Sequence, residues 1–298
     1  MIEREICGVL PVNKPAGMTS HDVVFKIRKL YGTKKVGHTG TLDPDATGLL
    51  IVLVGRAAKA AEYVVAGKKV YRAGLRLGLT TDTEDTSGTT LTTSEDIPEK
   101  AAVLEAIASF KGESMQVPPM YSALKVNGQK LCDLARKGIT VEREARPITV
   151  YSISADGDGK DYTMEVVCSA GTYIRTLCAD IGARLGCGGA MSSLFRTETG
   201  GFDISAAHTL EEIEALSQEE RDALLIPTEN LFAALPVVKL PAFYERLAKN
   251  GAEIYQKKIG TSHPSGTLLR VHGGEGFFGI GSVREYESGS AVKIVKFL

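Results

Sequence analysis

At 298 residues and 43% hydrophobic content, the chain can bury a sizeable core, has length for two domains, and has the composition of a soluble globular protein. A net charge of −1 at pH 7 argues against a uniformly basic nucleic-acid-binding domain, and five scattered cysteines without a C-x-x-C pair indicate neither a disulfide framework nor a zinc ribbon. No apolar run reaches membrane-spanning length, and the start Met1-Ile2-Glu3-Arg4-Glu5 lacks the basic and apolar regions of a secretory signal, so a cytoplasmic location is expected.

Val9 to Val12 reads as a short strand, followed by a Lys14-Pro15-Ala16-Gly17 turn. Ser20 is placed to cap a helix over 21–31, with Val23, Val24, Ile27 and Leu30 as its apolar stripe and Gly32 as its stop. A glycine-rich loop comes next, Gly37-His38-Thr39-Gly40-Thr41-Leu42-Asp43-Pro44-Asp45-Ala46-Thr47-Gly48, then an apolar strand over 49–54 and an alanine-rich helix to about Val65. Pro44 biases Asp43 towards an extended or turn conformation. On spacing alone, an aspartate before proline in a glycine-rich stretch is more often turn chemistry or a helix cap than a catalytic carboxylate.

Residues 69–79 alternate, with Tyr71, Ala73, Leu75, Leu77 and Leu79 on one face and Arg72 and Arg76 on the other, the pattern of a half-buried strand. The stretch from Thr80 to Gly88 reads as a solvated turn, and 98–110 as a helix with Val103, Leu104, Ile107 and Phe110 inward. Asn127-Gly128 is a hairpin-turn signal before a short helix over 130–137. Ile148 to Ala155 and Tyr162 to Ser169 flank Asp156-Gly157-Asp158-Gly159 as a β-hairpin; that string is too short for a calcium loop. Tyr173 to Leu185 is an amphipathic helix with Arg175 in its first turn, where the helix dipole is unfavourable and a carboxylate partner is expected. A strand over 192–196 and an acidic helix over 210–225 follow. A boundary falls near Leu231 to Pro236. Beyond it a short helix over 242–250 precedes strands at 268–271, 277–283 and 291–297.

The string GHTGTLDPDATGLL closely resembles the catalytic motif of the TruB family of tRNA pseudouridine synthases. The same order of resemblance continues through Asn13-Lys14-Pro15-Ala16-Gly17, Tyr71-Arg72-Ala73, Thr81-Asp82-Thr83-Glu84-Asp85, Pro119 to Lys125, Arg146-Pro147, Gly171 to Thr176 and Leu194-Phe195-Arg196. It covers nearly the whole chain, and its tail is similar to the PUA RNA-binding module.

The resemblance implies an α+β pseudouridine synthase fold: a central mixed, mainly antiparallel sheet flanked by helices over residues 1–232, and a small β-rich PUA-like domain over 233–298. It implies isomerisation of uridine 55 in the T loop of tRNA. Asp43 is then the nucleophile, Arg175 its partner and Asp85 a third member of that charge network. Tyr71 is expected to stack on a flipped base, with Tyr173 lining the pocket and Leu194 packing against it. His38 is expected to fill the vacated space in the RNA, Lys14 to support the site wall, and Lys125 and Arg146 to contact phosphates. Neither a metal nor a cofactor is expected, since the histidine spacing fits no metal motif and no Walker A string occurs. A monomer working without a protein partner is expected; an RNA-folding chaperone and a guide-RNA-dependent subunit are the alternatives. Clusters at Lys26 to Lys35, Lys68 to Arg76 and Lys125 to Arg146, with acids gathered at Glu211 to Asp222, give the chain a basic face despite its near-zero net charge.

Overall fold

The computed structural model describes residues 6–61, 67–126 and 128–298. Strand β1 (Gly8–Lys14) leads through a turn into helix α1 (Ser20–Tyr31). The cap of α1 is Thr19, one residue before the expected Ser20. Thr19 Oγ1 accepts from the Asp22 amide, and the Asp22 carboxylate accepts from the Thr19 amide, closing a capping box. Gly32 ends the helix at φ 61°. Then come β2 (Val36–His38), the glycine-rich loop and β3 (Thr47–Val54), followed by a 3-10 turn over Gly55–Ala60. The alanine-rich helix was expected to run on to Val65, but residues 62–66 lie outside those described.

Strand β4 (Lys69–Leu77) keeps the predicted alternation, with Tyr71, Ala73, Leu75 and Leu77 buried. Gly78, at φ +85°, breaks it before Leu79. The expected solvated turn that follows is partly strand: β5 (Leu79–Thr81) pairs with β6 (Thr90–Thr93). Helix α2 (Lys100–Ala108) buries Val103 and Ile107 and precedes β7 (Gly112–Gln116). The short strands β8 (Lys125–Val126) and β9 (Gln129–Lys130) pair on either side of the hairpin signal, whose Asn127 lies outside the described residues, and α3 (Leu131–Ala135) follows. Strands β10 (Arg146–Asp158) and β11 (Asp161–Cys168) form a longer hairpin than predicted. Asp156 and Gly157 pair with Thr163 and Tyr162 inside the ladder, so the reversal sits at Gly159-Lys160.

Helix α4 (Ile174–Leu185) has the expected span, and β12 (Gly189–Thr199) and β13 (Phe202–Asp203) follow it. The single acidic helix expected over 210–225 is instead two, α5 (Leu210–Ala215) and α6 (Gln218–Ala223). Ser217 takes an extended conformation between them and caps the second with Glu220. The remainder holds β14 (Val237–Lys239), α7 (Ala242–Lys249), β15 (Ile254–Tyr255), β16 (Leu268–Gly273), β17 (Gly276–Tyr286) and β18 (Gly289–Phe297).

Among the described residues nine strands form the central sheet, in the order β1-β3-β12-β4-β11-β10-β7, with β2 on β3 and β13 on β12. Its pairs are antiparallel except β12 with β3, so the sheet is mixed and mainly antiparallel. Strand β3 is apolar along its length because both faces are covered. Leu50, Val52 and Val54 join the core that includes α1 and α4, while Leu49, Ile51 and Leu53 meet Phe232, Phe277 and Ile280 on the other side. The C-terminal strands form their own sheet, ordered β14-β16-β17-β18-β15, around Val238, Leu269, Val271 and Val292. Among the described residues no helix is long and apolar enough to cross a membrane.

Candidate active site

The loop between β2 and β3 carries Asp43 and is fixed by three buried side chains from three different elements. Lys14, at the end of β1 and 0% exposed, donates to the carbonyls of Pro15 at 2.8 Å, Pro44 at 2.9 Å and Ala46 at 2.7 Å. Ser20, freed from capping by Thr19, accepts from the Leu42 amide at 2.9 Å and donates to the Leu42 carbonyl at 3.1 Å. Arg196 of β12 donates to the carbonyls of Leu49 at 2.7 Å and Gly40 at 3.1 Å. A turn closes on Asp43 itself, whose carbonyl accepts from the Ala46 amide at 3.1 Å. Gly48 permits the parallel contact of β3 with β12. It sits at φ +97°, opposite Arg196, and a Cβ there would lie 2.4 Å from the Arg196 carbonyl oxygen.

The carboxylate so presented meets the guanidinium of Arg175 side-on. Arg175 Nε lies 3.0 Å from Asp43 Oδ2, and Nη2 donates to Oδ1 at 3.2 Å. The remaining Arg175 donors are also placed: Nη2 donates to the Tyr121 carbonyl at 2.7 Å and Nη1 to the Thr83 carbonyl at 3.1 Å. Asp85 Oδ2 stands 3.8 Å from Nη1, while Asp85 Oδ1 accepts from Thr83 Oγ1, the Ser87 amide and Ser87 Oγ. Burial pushes the Asp43 carboxyl above the ordinary aspartate range, with Asp85 adding to the rise, and Arg175 and Lys14 pull it back. Arg175 is nearly buried and Asp43 is partly exposed, with side-chain exposures of 6% and 38%, so the acid and not the base faces the approach to the site.

Tyr71 lies in β4, 6% exposed, opposite Arg196 of β12 in the strand register, and burial raises its phenol. Tyr173 is the residue before α4. Its amide donates to Gln116 Oε1 and its carbonyl accepts from Gln116 Nε2, so the end of β7 fixes the start of the helix that bears Arg175. Leu194 pairs with Ala73 across β12 and β4, and its carbonyl accepts from Thr47 Oγ1. His38 ends β2, and its Nδ1 accepts from the Gly40 amide at 3.3 Å. Burial lowers its pKa. Lys125 is exposed in the β8–β9 hairpin, and Arg146 is exposed at the start of β10. The geometry thus joins Asp43 and Asp85 to Arg175, with Lys14 holding the backbone of the Asp43 loop and Tyr71 on β4, across β12 from β3.

A family model described as "TruB family pseudouridylate synthase (N terminal domain)" matches residues 28–174, and one described as "tRNA pseudouridylate synthase B C-terminal domain" matches 175–233. The chain is 46% identical over 282 residues to a tRNA pseudouridine synthase B of Clostridium kluyveri, covering 94% of this chain and 96% of that one. It belongs to the TruB family of pseudouridine synthases. A second TruB relative, from Alkaliphilus oremlandii and also named tRNA pseudouridine synthase B, is 44% identical over 98% of both chains. The fold also matches a chain in the crystal structure of a Cbf5-Nop10-Gar1 complex, with a TM-score of 0.76 and 27% identity over 98% of this chain and 85% of that one.

Several residues that build this TruB site escaped the sequence reading. Arg196 stood in a matching motif but carried no assigned role, since an arginine in an alternating strand reads as a solvated charge. Ser20 was read as a cap, and the carbonyls of Thr83 and Tyr121 give no sequence signal at all. Among the described residues no group of three or more His, Cys, Asp or Glu side chains is placed to hold a metal ion.

Proposed function

We propose that this chain converts uridine 55 in the T loop of tRNA to pseudouridine, with Asp43 as the nucleophile. The observation that carries the reading is the two-point ion pair between Asp43 and Arg175, set at the mouth of a loop clamped on its backbone. The reaction breaks the bond from N1 of uracil to C1′ of the ribose, turns the base, and forms a bond from C5 to C1′. The hydrogen on C5 leaves as a proton and N1 gains one, so no redox partner or energy input is needed. A carboxylate that attacks and then departs divides this exchange into two easier steps. Arg175 keeps that carboxylate ionised and oriented in a site where burial opposes ionisation.

The target base is stacked within a folded loop and has to be flipped out to react. Tyr71 and Tyr173 take the flipped base, Leu194 packs beside it, and His38 fills the gap left in the RNA. Stacking of this kind contributes about 1–3 kcal/mol per base. Lys125 contacts a phosphate. Residues 1–232 form the catalytic domain and 233–298 a PUA-like module that adds RNA contacts. The protein acts as a cytoplasmic monomer without a protein partner.

The test is tritium release from tRNA labelled at C5 of uridine, with purified protein alone. One equivalent per tRNA, lost on changing the T-loop uridine to cytidine, is the expected result. Asp43→Asn should abolish release and leave tRNA affinity within about threefold. Tight tRNA binding without release by the wild type would favour a folding chaperone or a partner-dependent enzyme.

A further inference from the structure

Thr83, Glu84 and Asp85 meet two consecutive residues of α4. The Thr83 carbonyl accepts from Arg175 Nη1, Glu84 Oε2 accepts from Thr176 Oγ1 at 2.6 Å, and Asp85 Oδ2 faces Arg175 Nη1 at 3.8 Å. Glu84 has φ +64°, and among the described residues it is the one non-glycine residue with a positive φ. Side chains bearing a Cβ resist that conformation, and glutamate gains nothing from it locally, unlike Asn or Asp. It persists where surrounding contacts over-determine it. Here they do so from two sides. The Glu84 carbonyl accepts from the Met191 amide of β12 at 3.0 Å, and the carboxylate reaches the helix. The turn points the Thr83 carbonyl and the Asp85 carboxylate at one guanidinium while the side chain between them takes the neighbouring hydroxyl.

We propose that Glu84 is a positioning residue: its hydrogen bond to Thr176 latches the Thr83–Asp85 segment onto α4 and so holds Arg175 in register with Asp43. The latch rests on the reading of Asp43 as nucleophile. The charged and titratable groups facing Glu84 are Arg175, Cys178 and Asp180 of α4 and Arg143 of the segment before β10. Burial, the largest influence, raises the Glu84 carboxyl, and the Thr176 hydroxyl and Arg175 oppose it. Those facing Asp43 are Arg175, Asp85, Lys14, Tyr71 and Tyr173.

Four variants test the latch: Glu84→Ala, Glu84→Gly, Glu84→Gln and Thr176→Val. Glycine adopts φ +64° freely, so Glu84→Gly removes the side chain while relieving the backbone. With folding checked by thermal melts, Ala, Gly and Val should each lower kcat about tenfold and leave KM for tRNA within about twofold. Glu84→Gln keeps an acceptor for Thr176 and should stay within about twofold of wild type. The double variant Glu84→Ala/Thr176→Val should lose no more than either single one. In RNA-free protein labelled with 13C-aspartate, the NMR titration of Asp43 should move to higher pH in Glu84→Ala and Thr176→Val, because Arg175 is held less well. Wild-type kcat and an unmoved Asp43 titration in those two variants would overturn the latch, as would additive losses or a Gln variant as impaired as the Ala variant. An inactive wild type would sink the functional reading instead, and the Asp43 titration would still decide the latch.

Discussion

Lys14→Met removes the ammonium that ties the Asp43 loop to β1 while keeping most of the side-chain volume. The carbonyls of Pro15 and Ala46 then lose their donor, while that of Pro44 keeps the Gly17 amide at 3.0 Å. A buried acceptor left without a partner costs about 1–3 kcal/mol, so the two together cost about 4 kcal/mol. Against this, methionine escapes the burial of a charge. Burial draws Lys14 from 10.5 down to about 8, and at about 1.4 kcal/mol per unit the relief is about 3 kcal/mol. The expected net loss is therefore about 1 kcal/mol of unfolding free energy, read from guanidinium titration with an unchanged m-value. Activity should fall further than stability implies, about 10²-fold in kcat at a temperature where the variant remains folded, because two of the three carbonyls Lys14 holds, those of Pro44 and Ala46, follow Asp43 in the loop. The wild type should also lose kcat as pH rises through about 8, where the deprotonated amine has two hydrogens for three carbonyls; Lys14→Met should lack that limb. Wild-type stability together with wild-type kcat would refute the view that these bonds hold the loop.

Arg175→Lys keeps the charge but cannot form the side-on fork, so kcat should fall by about 10²-fold or more. In the proposed reaction Asp43 has to be ionised to attack; burial raises its pKa, and Arg175 opposes that rise. The variant's acid limb should therefore lie at higher pH than the wild type's in a kcat/KM–pH profile, and an unshifted limb would show that Arg175 does not set the ionisation. Gly48→Ala places a methyl group 2.4 Å from the Arg196 carbonyl at a φ of +97°. It should cost about 2–3 kcal/mol by thermal or chemical unfolding, and a variant as stable as wild type would mean that β12 can shift away from β3 at no cost.

What the sequence made legible follows from where side-chain pattern and backbone agree. Strand β3 and the alternating part of β4 announce themselves through apolar residues that have to be covered, and α4 through an apolar stripe that meets the core. The β5–β6 pair was hidden because Thr90, Leu91, Thr92 and Thr93 are all exposed, so no alternation marks the second strand. The break between α5 and α6 was written in the string Ser217-Gln218-Glu219-Glu220, a capping box inside what reads as one acidic helix. Asp156-Gly157 looked like the hairpin turn but is ladder, because the reversal needs only the two residues Gly159 and Lys160 between the paired Asp158 and Asp161. At the site, side chains that act on side chains could be inferred from motif and charge. Those acting on carbonyls, such as Arg196 and Lys14, depend on backbone positions that no spacing encodes.

That division bears on the proposed reaction. Lys14, Ser20 and Arg196 grip backbone atoms, so the shape of the loop does not depend on the charge of Asp43. Arg175 does depend on it. In the proposed reaction the bond from Asp43 to the substrate passes its negative charge to the base, and a nearly buried guanidinium without an adjacent counter-charge would oppose that step. Asp85 meets that need. One of its oxygens is held by Thr83 and Ser87, and the other faces Arg175 Nη1 at a distance beyond hydrogen bonding. It is poorly placed to attack the RNA and well placed to compensate Arg175 while Asp43 is occupied. In the proposed reaction the two carboxylates around one arginine therefore take different parts, decided by which is tethered: Asp85 carries the standing charge, and Asp43 is free to give its charge up and recover it.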